Sequence, residues 1–500
     1  MTEPVPMPSE SPGGHMLRGS AWMVGLRWAI RLTGVVSTII LARLLTPADF
    51  GVVAIAMIVV GLLEMLSQTG QALAIIRHQS PTREHYDSAW TVSVLFGFGV
   101  ALAIVAVAPL TRIYFHEPRS IVVMQCLALR AALGGLENIG TVDFRRDLQF
   151  GRVFSYNFYA KLFSFCITIT LAIIVRNYWA LVAGIVGGQF ARTVLSYVMH
   201  PYRPRLSFRE VSGIWSFSIW TFLRSIGTYL GSQVDHIAVG GIAGAASLGR
   251  YSVATDIASS PSSEINDPMI AVLYPVMSRL QNDPAQLRVL YLRALGWSAV
   301  ICASTSVGVA LVAPEFVHLV LGPRWIDVVP LMGWLALAAG VSGLSSGAYT
   351  LLDAIGLPHI GARMQWVRVI LLSAGVFPVA YLTHSLVAIA ATQFVATAIF
   401  IPSLFLEVGS RVRVSPRDYI FALWRPIVAA GTMAIVVTCA NHILPLAGNL
   451  KLAADVAIGA LTFSGAILGL WLASGRPPSP EKDLISLRWS LRTLPNGVAL

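Results

Sequence analysis

The feature that most restricts the fold of this chain is a long internal repeat. Ser20-Ala21-Trp22 aligns with Ser218-Ile219-Trp220, and further on Val107-Ala108-Pro109 aligns with Val312-Ala313-Pro314. The two registers differ by seven residues, which one short insertion explains. Such a repeat predicts two homologous halves. In a membrane chain, two halves of this kind are typical of a transporter whose substrate site lies between them.

The composition places both halves in a membrane. Of the 500 residues, 56% are hydrophobic and 12% are charged, whereas soluble domains have about 25% charged residues. Because a span needs about 20 apolar residues, the sequence predicts an all-α polytopic membrane protein with about 14 transmembrane helices. Twelve form two pseudo-symmetric six-helix lobes, and two C-terminal helices lie outside the repeat.

Six parts follow from this pattern. They are a disordered cytoplasmic tail (1–17), an N-lobe with spans 1–6 (18–200), a cytoplasmic linker (201–215), a C-lobe with spans 7–12 (216–408), spans 13–14 (409–474) and a cytoplasmic tail (475–500).

The basic residues indicate the orientation of the spans. The net charge of +11 is spread over many short loops, as at Arg145-Arg146 and Arg203-Pro204-Arg205, and is not gathered on one face as nucleic-acid binding would need. These loops carry most of the Lys and Arg, so we expect them, and both termini, in the cytoplasm. The four cysteines have no metal-ligand spacing and predict packing residues, with no metal site and no cofactor.

Three arginines stand inside predicted spans. Arg27 and Arg31 lie one turn apart in span 1, and Arg224 lies at nearly the same depth of span 7. A charge at the bilayer centre costs at least about 2.5–3.5 kcal/mol, so it normally faces water or a partner. The alternative is that these arginines extend to lipid phosphate near the cytoplasmic surface.

Spans 2 and 8 are polar at matching positions, which predicts that they line a cavity. Pro261 should also kink or loosen span 8. Polar packing between helices is the alternative. The residues expected to line the cavity are Glu64, Gln68, Ser262 and Asn266, and the candidates for ion coupling are Asp235, Asp256 and Glu264. Four other buried cations are expected to pair with carboxylates, namely Arg130, Lys161, Arg192 and Arg368.

Two segments resemble a known family. Leu41 to Gly51, which reads LARLLTPADFG, and Asp143 to Phe150 are similar to the Wzx-type polysaccharide flippases of the multidrug/oligosaccharidyl-lipid/polysaccharide exporter superfamily. The resemblance implies two lobes around a central cavity lined by spans 1, 2, 7 and 8. It also implies alternating-access transfer of undecaprenyl-diphosphate-linked oligosaccharide units across the bacterial inner membrane, for exopolysaccharide, capsule or O-antigen. A polymerase and a chain-length regulator are the implied partners.

With that resemblance, Arg27, Arg31 and Arg224 become candidates for binding the diphosphate, since a guanidinium matches phosphate geometry. A related exporter of drugs or other lipids is the first alternative, although a cationic cavity disfavours cationic drugs. A membrane glycan polymerase or ligase is the second, although the predicted outer loops are too short for a catalytic domain. The sugars and the coupling ion are left open.

Overall fold

The structure is a computed structural model. It describes residues 12–67, 75, 81–147, 149–209, 219–443 and 448–475, without the side chains at 12–24, 27, 66, 67 and 221. The predictions for Gln68, for residues 1–11 and for residues 476–500 therefore lie outside the described residues, as does the side chain of Arg27.

The chain divides into two compact units, an N-terminal unit that ends at Ser218 and a C-terminal unit that begins at Ile219. The helices of the N-terminal unit are α1 (Pro12–Leu44), α2 (Pro47–Ser67), α3 (Arg83–Phe115), α4 (Arg119–Gly135), α5 (Phe150–Val175) and α6 (Trp179–Met199). Those of the C-terminal unit are α7 (Ile219–Arg279), α8 (Pro284–Phe316), α9 (Val329–Gly343), α10 (Ser346–Ala354), α11 (Pro358–Thr383), α12 (Leu386–Val412), α13 (Pro416–Ile443) and α14 (Gly448–Ala473).

The helices have the length and hydropathy of membrane spans. In the part of the chain that the structure describes, ten are long and apolar enough to cross a bilayer, or eleven if α4 and the bent segment Ile139–Arg146 count as one span. Large apolar side chains such as Leu102 and Ile174 are 71% exposed, as lipid contact would require. The all-α polytopic fold is confirmed, while the count of fourteen stays a prediction.

The internal repeat recurs in the helix boundaries. The break between α1 and α2 lies at Leu45 and Thr46, and the repeat register carries Thr46 onto Gly244. Gly244 is the one position inside α7 with non-helical dihedral angles (φ 78°, ψ 176°). Likewise α5 and α11 both have 26 residues and end at a left-handed residue, Arg176 and His384. The same two-helix hairpin therefore opens each unit.

Two differences from the sequence predictions concern helix ends and kinks. Helix α1 begins at Pro12, inside the predicted disordered tail. Pro261 was expected to loosen its helix, but α7 keeps helical dihedral angles there. A proline leaves one backbone carbonyl of its helix without an N–H partner, and neighbouring polar groups can supply a replacement. Serines flank Pro261 in the sequence.

After α6 the chain runs without helix from His200 to Arg209 along the first turns of α3. The backbone N–H of Arg205 donates to Asp87 Oδ1 at 2.9 Å, and that of Ser207 donates to Thr91 Oγ1 at 2.9 Å. Arg209 Nη1 donates to Glu84 Oε1 at 2.7 Å. We call residues 200–209 the strap. The first part of the predicted linker is therefore bound to the N-terminal unit.

Helices α13 and α14, outside the repeat, belong to the C-terminal unit. Their buried residues Met433, Val437 and Phe463 form a hydrophobic cluster to which α8 contributes Val300 and Val307. Dispersion attraction between these closely packed side chains stabilises the cluster. The extra pair is thus attached to the unit through α8.

Candidate functional site

Arg31 is the arginine of span 1 whose side chain the structure describes. It lies on α1, is half-buried, and makes a side-chain interaction. Leu26 and Ile30, from the preceding turn, pack against Phe144 and Val153. One stretch of α1 is therefore anchored on the short helix Asp143–Arg146 and on α5.

Arg224, on the first part of α7, is half-buried in an ion pair with Asp353 of α10. The guanidinium Nη1 donates to Asp353 Oδ1. Gly361 lies against the arginine, because a Cβ there would be 3.5 Å from Arg224 Cδ. The sequence patterns missed Asp353, since it lies 129 positions away in a different span. A candidate anion-binding arginine therefore has an internal carboxylate partner.

Asp235 lies in a buried polar network of the C-terminal unit. Its carboxylate is 2% exposed and accepts hydrogen bonds from the backbone N–H of His236 at 2.9 Å and from Tyr251 at 2.9 Å. His236 Nδ1 lies 3.0 Å from the same carboxylate, and the Tyr251 hydroxyl lies 3.2 Å from Gln393 Oε1. These contacts tie both arms of α7 to α12. They place an imidazole and a phenol within hydrogen-bond distance of the same carboxylate.

Asp256 and Glu264, the other two candidates for ion coupling, lie further along α7. Asp256 is exposed and Glu264 is half-buried, and each makes an interaction with its surroundings. Asp256 interacts electrostatically with His236 of the network around Asp235.

Ser262 and Asn266 are buried, 3% and 1% exposed. Ser262 Oγ is 2.8 Å from Thr305 Oγ1, and Asn266 Nδ2 donates to the carbonyl of Gly343 at 3.2 Å. Both therefore join α7 to neighbouring helices, and their role in lining a cavity stays a prediction. Small polar side chains at these positions allow close helix packing and satisfy buried groups.

Two of the four cations expected to have carboxylate partners do have them. Arg130 Nη1 lies 3.2 Å from Glu64 Oε2. Arg192 Nε lies 3.2 Å from Glu137 Oε2. Those two predictions are confirmed, whereas Arg368 donates to Ser342 Oγ at 2.9 Å. Lys161 is half-buried on α5.

Among the residues that the structure describes, no three His, Cys, Asp or Glu side chains lie close enough together to hold a metal ion. Cys302 is buried, and Cys126, Cys166 and Cys439 are free thiols.

A comparison with known proteins identifies the family. A family model described as "Polysaccharide biosynthesis protein" matches residues 40–330. The chain belongs to this family. The "uncharacterized membrane protein in cps region" of Klebsiella pneumoniae is 26% identical over 360 residues, which are 71% of this chain and 74% of that protein.

Two further relatives of this polysaccharide biosynthesis protein carry descriptive names. The lipopolysaccharide biosynthesis protein WzxC of Escherichia coli is 23% identical over 82% of this chain and 84% of its own length. The succinoglycan biosynthesis transport protein ExoT of Rhizobium meliloti is 24% identical over 86% of this chain and 88% of its own. The family resemblance inferred from the sequence is thus confirmed, and the chain is a multi-span membrane protein of a polysaccharide biosynthesis family.

Solved structures share the fold. The lipid II flippase MurJ in an inward closed conformation matches with a TM-score of 0.72 at 12% identity, covering 94% of this chain and all of that one. An inward-facing multidrug resistance transporter of the MATE family matches with a TM-score of 0.59 at 15% identity, over 79% of this chain and 99% of that one. The functional roles of the site residues stay predictions.

Proposed function

We propose that this polysaccharide biosynthesis protein flips an undecaprenyl-diphosphate-linked oligosaccharide unit from the inner to the outer leaflet of the bacterial inner membrane. The printed names of WzxC, ExoT and a teichuronic acid biosynthesis protein of Bacillus subtilis, 20% identical over 80% of the chain, support a role in cell-surface glycan export. Transfer proceeds by alternating access of the two lobes and makes or breaks no bond.

The observation that carries this proposal is two half-buried cationic side chains on long helices, Arg31 on α1 and Arg224 on α7. A diphosphate is polyanionic, and its transfer through a low-dielectric core needs fixed positive charge. A guanidinium offers two parallel N–H donors to a phosphate and keeps its charge when partly buried. Together with Arg27, these residues form the proposed binding site for the diphosphate.

Charge substitutions test the proposal. Arg31→Glu and Arg224→Glu should each stop export and cause lipid-linked units to accumulate on the inner leaflet, because a carboxylate repels the diphosphate. Arg31→Lys should keep part of the activity, since it preserves the charge and loses the planar fork. Arg417→Glu, at an exposed position of α13, is the matched control and should export normally.

The readout is the amount of lipid-linked unit on each leaflet at matched membrane abundance. Wild-type export by both Glu variants would refute the diphosphate site.

Drug export is the second candidate function, because the fold is similar to that of a multidrug resistance transporter of the MATE family. Unchanged lipid-linked units combined with altered resistance to cationic dyes in the same variants would support that candidate.

Ion coupling is assigned to Asp235 within this proposal. A buried carboxylate with an imidazole and a phenol beside it can exchange a proton or release a cation as its helices move. Asp256, which is exposed and interacts electrostatically with His236, and Glu264, which is half-buried, are the secondary candidates. Asp235→Asn should uncouple export from the ion gradient, so that export no longer responds to a protonophore. An unaltered protonophore response would contradict the assignment.

The remaining parts of the proposal concern place and partners. Both termini are assigned to the cytoplasm because of the basic loops. A polysaccharide polymerase and a chain-length regulator are the proposed protein partners, since they would consume the exported unit on the outer side. Co-purification of either protein with the tagged flippase tests this association, and its absence from a cross-linked preparation would count against it.

A further inference from the structure

The N-terminal unit contains a polar groove that the proposed diphosphate site does not use. Two adjoining cavities of about 290 Å³ and about 210 Å³ share Ser93, Gly134, Glu137 and Arg192 in their walls. Four wall residues are common to both, so the cavities are neighbours. We call the two cavities together the N-lobe groove. Among the residues that the structure describes, those lining the groove lie between α2 and α6 of the N-terminal unit.

The N-lobe groove is lined by more basic than acidic side chains. Glu64 and Glu137 provide two carboxylates, while Arg130, Arg145 and Arg192 provide three guanidiniums. In each ion pair the arginine is more exposed than the glutamate. The side chains of Arg130 and Arg192 are 30% and 41% exposed, against 20% and 22% for Glu64 and Glu137. The groove therefore presents a net positive lining.

The arginines retain hydrogen-bond donors for a ligand. Arg192 reaches Glu137 through Nε and also makes a hydrogen bond with the Tyr156 side chain, which leaves other N–H donors of its guanidinium for a ligand. Arg130 reaches Glu64 through Nη1. A guanidinium carries five N–H donors in a fixed fork. Tyr156 fixes the orientation of this fork, because its ring lies 5.4 Å below the Arg192 guanidinium and its hydroxyl donates to Glu137.

The rest of the lining suits a sugar ring. Ser93, Gln189 and Asn157 add neutral donors and acceptors, and Phe96 and Tyr156 add aromatic surface. Gly134 leaves the wall open next to Gln189, since a Cβ there would lie 3.6 Å from Nε2. Ligand sites combine apolar and aromatic walls with a few fixed polar groups in this way.

We propose that the N-lobe groove binds one acidic sugar residue of the transported glycan, with its oxyanion on the free donors of Arg130 and Arg192. This inference rests on the proposed function and adds a chemical class to its substrate. The volume sets the size of the ligand, because each cavity is at or below the lower end of the range of about 300–1,000 Å³ for drug-sized ligands. One sugar ring fits, and a complete oligosaccharide does not.

The same oxyanion chemistry has two sources, a sugar carboxylate and a phosphate. Binding of free glucuronate, glucose and inorganic phosphate to the purified full-length chain in nanodiscs separates them. We expect saturable glucuronate binding and none for glucose. Phosphate binding that glucuronate does not displace would overturn the sugar assignment, and so would equal binding of glucose and glucuronate.

Variants connect the binding to the groove. Arg192→Gln and Arg130→Gln should each weaken glucuronate binding about tenfold or more, the usual effect of losing a charge-assisted hydrogen bond. Gly134→Ala narrows the groove without touching an ion pair, and it should weaken binding while leaving the melting temperature unchanged. Arg363→Gln is the matched control, because it removes an arginine paired with a glutamate at 3.0 Å in the C-terminal unit.

Glucuronate affinity that is unchanged in Arg192→Gln, Arg130→Gln and Gly134→Ala would refute the inference, whatever the stability of each variant. The assay measures binding and not export. A negative result here therefore leaves the flippase proposal standing, and failure of the Arg31 export test leaves the glucuronate result interpretable.

Discussion

The ion pair between Arg224 and Asp353 offers a test in which stability and ligand binding should change in opposite directions. Asp353→Asn keeps the shape of the side chain and removes its charge. Loss of one partner costs about 3–5 kcal/mol in a fully buried pair, whereas surface pairs contribute about 0–1 kcal/mol. With Arg224 and Asp353 23% and 25% exposed, we expect the free energy of unfolding to fall by about 2 kcal/mol, between these limits.

The same substitution frees the Arg224 guanidinium. If Arg224 contributes to the diphosphate site, inorganic pyrophosphate should bind Asp353→Asn several-fold more tightly than it binds the wild-type chain. The charge-swapped double variant Arg224→Asp with Asp353→Arg should recover most of the stability, since it restores a pair. It should not recover the pyrophosphate affinity, because the cation then belongs to α10.

Unfolding in mixed detergent micelles and pyrophosphate titration in nanodiscs provide the two measurements. Asp327→Asn is the control, because its contact with Arg250 is 3.7 Å long and the Asp327 side chain is 65% exposed. We expect that control to change stability by less than about 0.5 kcal/mol. An equally small change in Asp353→Asn would show that the ion pair does not hold α7 to α10. Unchanged pyrophosphate affinity would remove Arg224 from the proposed site.

Three other predictions concern packing, topology and pH. Gly97→Val should destabilise the N-terminal unit by about 2 kcal/mol or more, because a Cβ at Gly97 would lie 2.7 Å from Gly135 Cα; a wild-type unfolding midpoint would contradict this. A reporter active only in the periplasm should work when fused after Arg119 and be silent after Arg413, and the reverse pattern would overturn the orientation. Burial lowers the pKa of His200, so the folded state keeps it neutral while the unfolded chain takes up a proton near pH 6.5. Stability should therefore fall as the pH drops below about 6.5, and His200→Gln should flatten that slope in a denaturation series.

Local sequence signals were sufficient for much of the fold. Helix positions follow from apolar length, which a bilayer enforces strictly because every backbone group must be paired within the span. The repeat also located a structural break, since Thr46 and Gly244 occupy equivalent positions. A glycine there is informative because its φ of 78° is one that other residues rarely adopt.

The partners of the charged residues could not be predicted in the same way. Arg224 meets Asp353 across 129 positions, and Arg192 meets Glu137 across 55. Such pairs depend on how helices rotate and pack, which periodicity does not determine. The role of Ser262 stays open for a related reason: a run of polar residues signals avoidance of lipid, and both a cavity and a helix interface satisfy that requirement.

The strap determines where lobes can be exchanged between related transporters. A chimera whose N-terminal part stopped at Met199 would replace the strap, whose Tyr202 hydroxyl and whose backbone N–H groups at Arg205 and Ser207 donate to the buried Asp87 and Thr91. Each of these hydrogen bonds that the foreign segment does not remake costs about 1–3 kcal/mol. A junction placed after Arg209 carries these bonds along with the parent lobe. The boundary for recombination therefore lies ten residues beyond the end of α6.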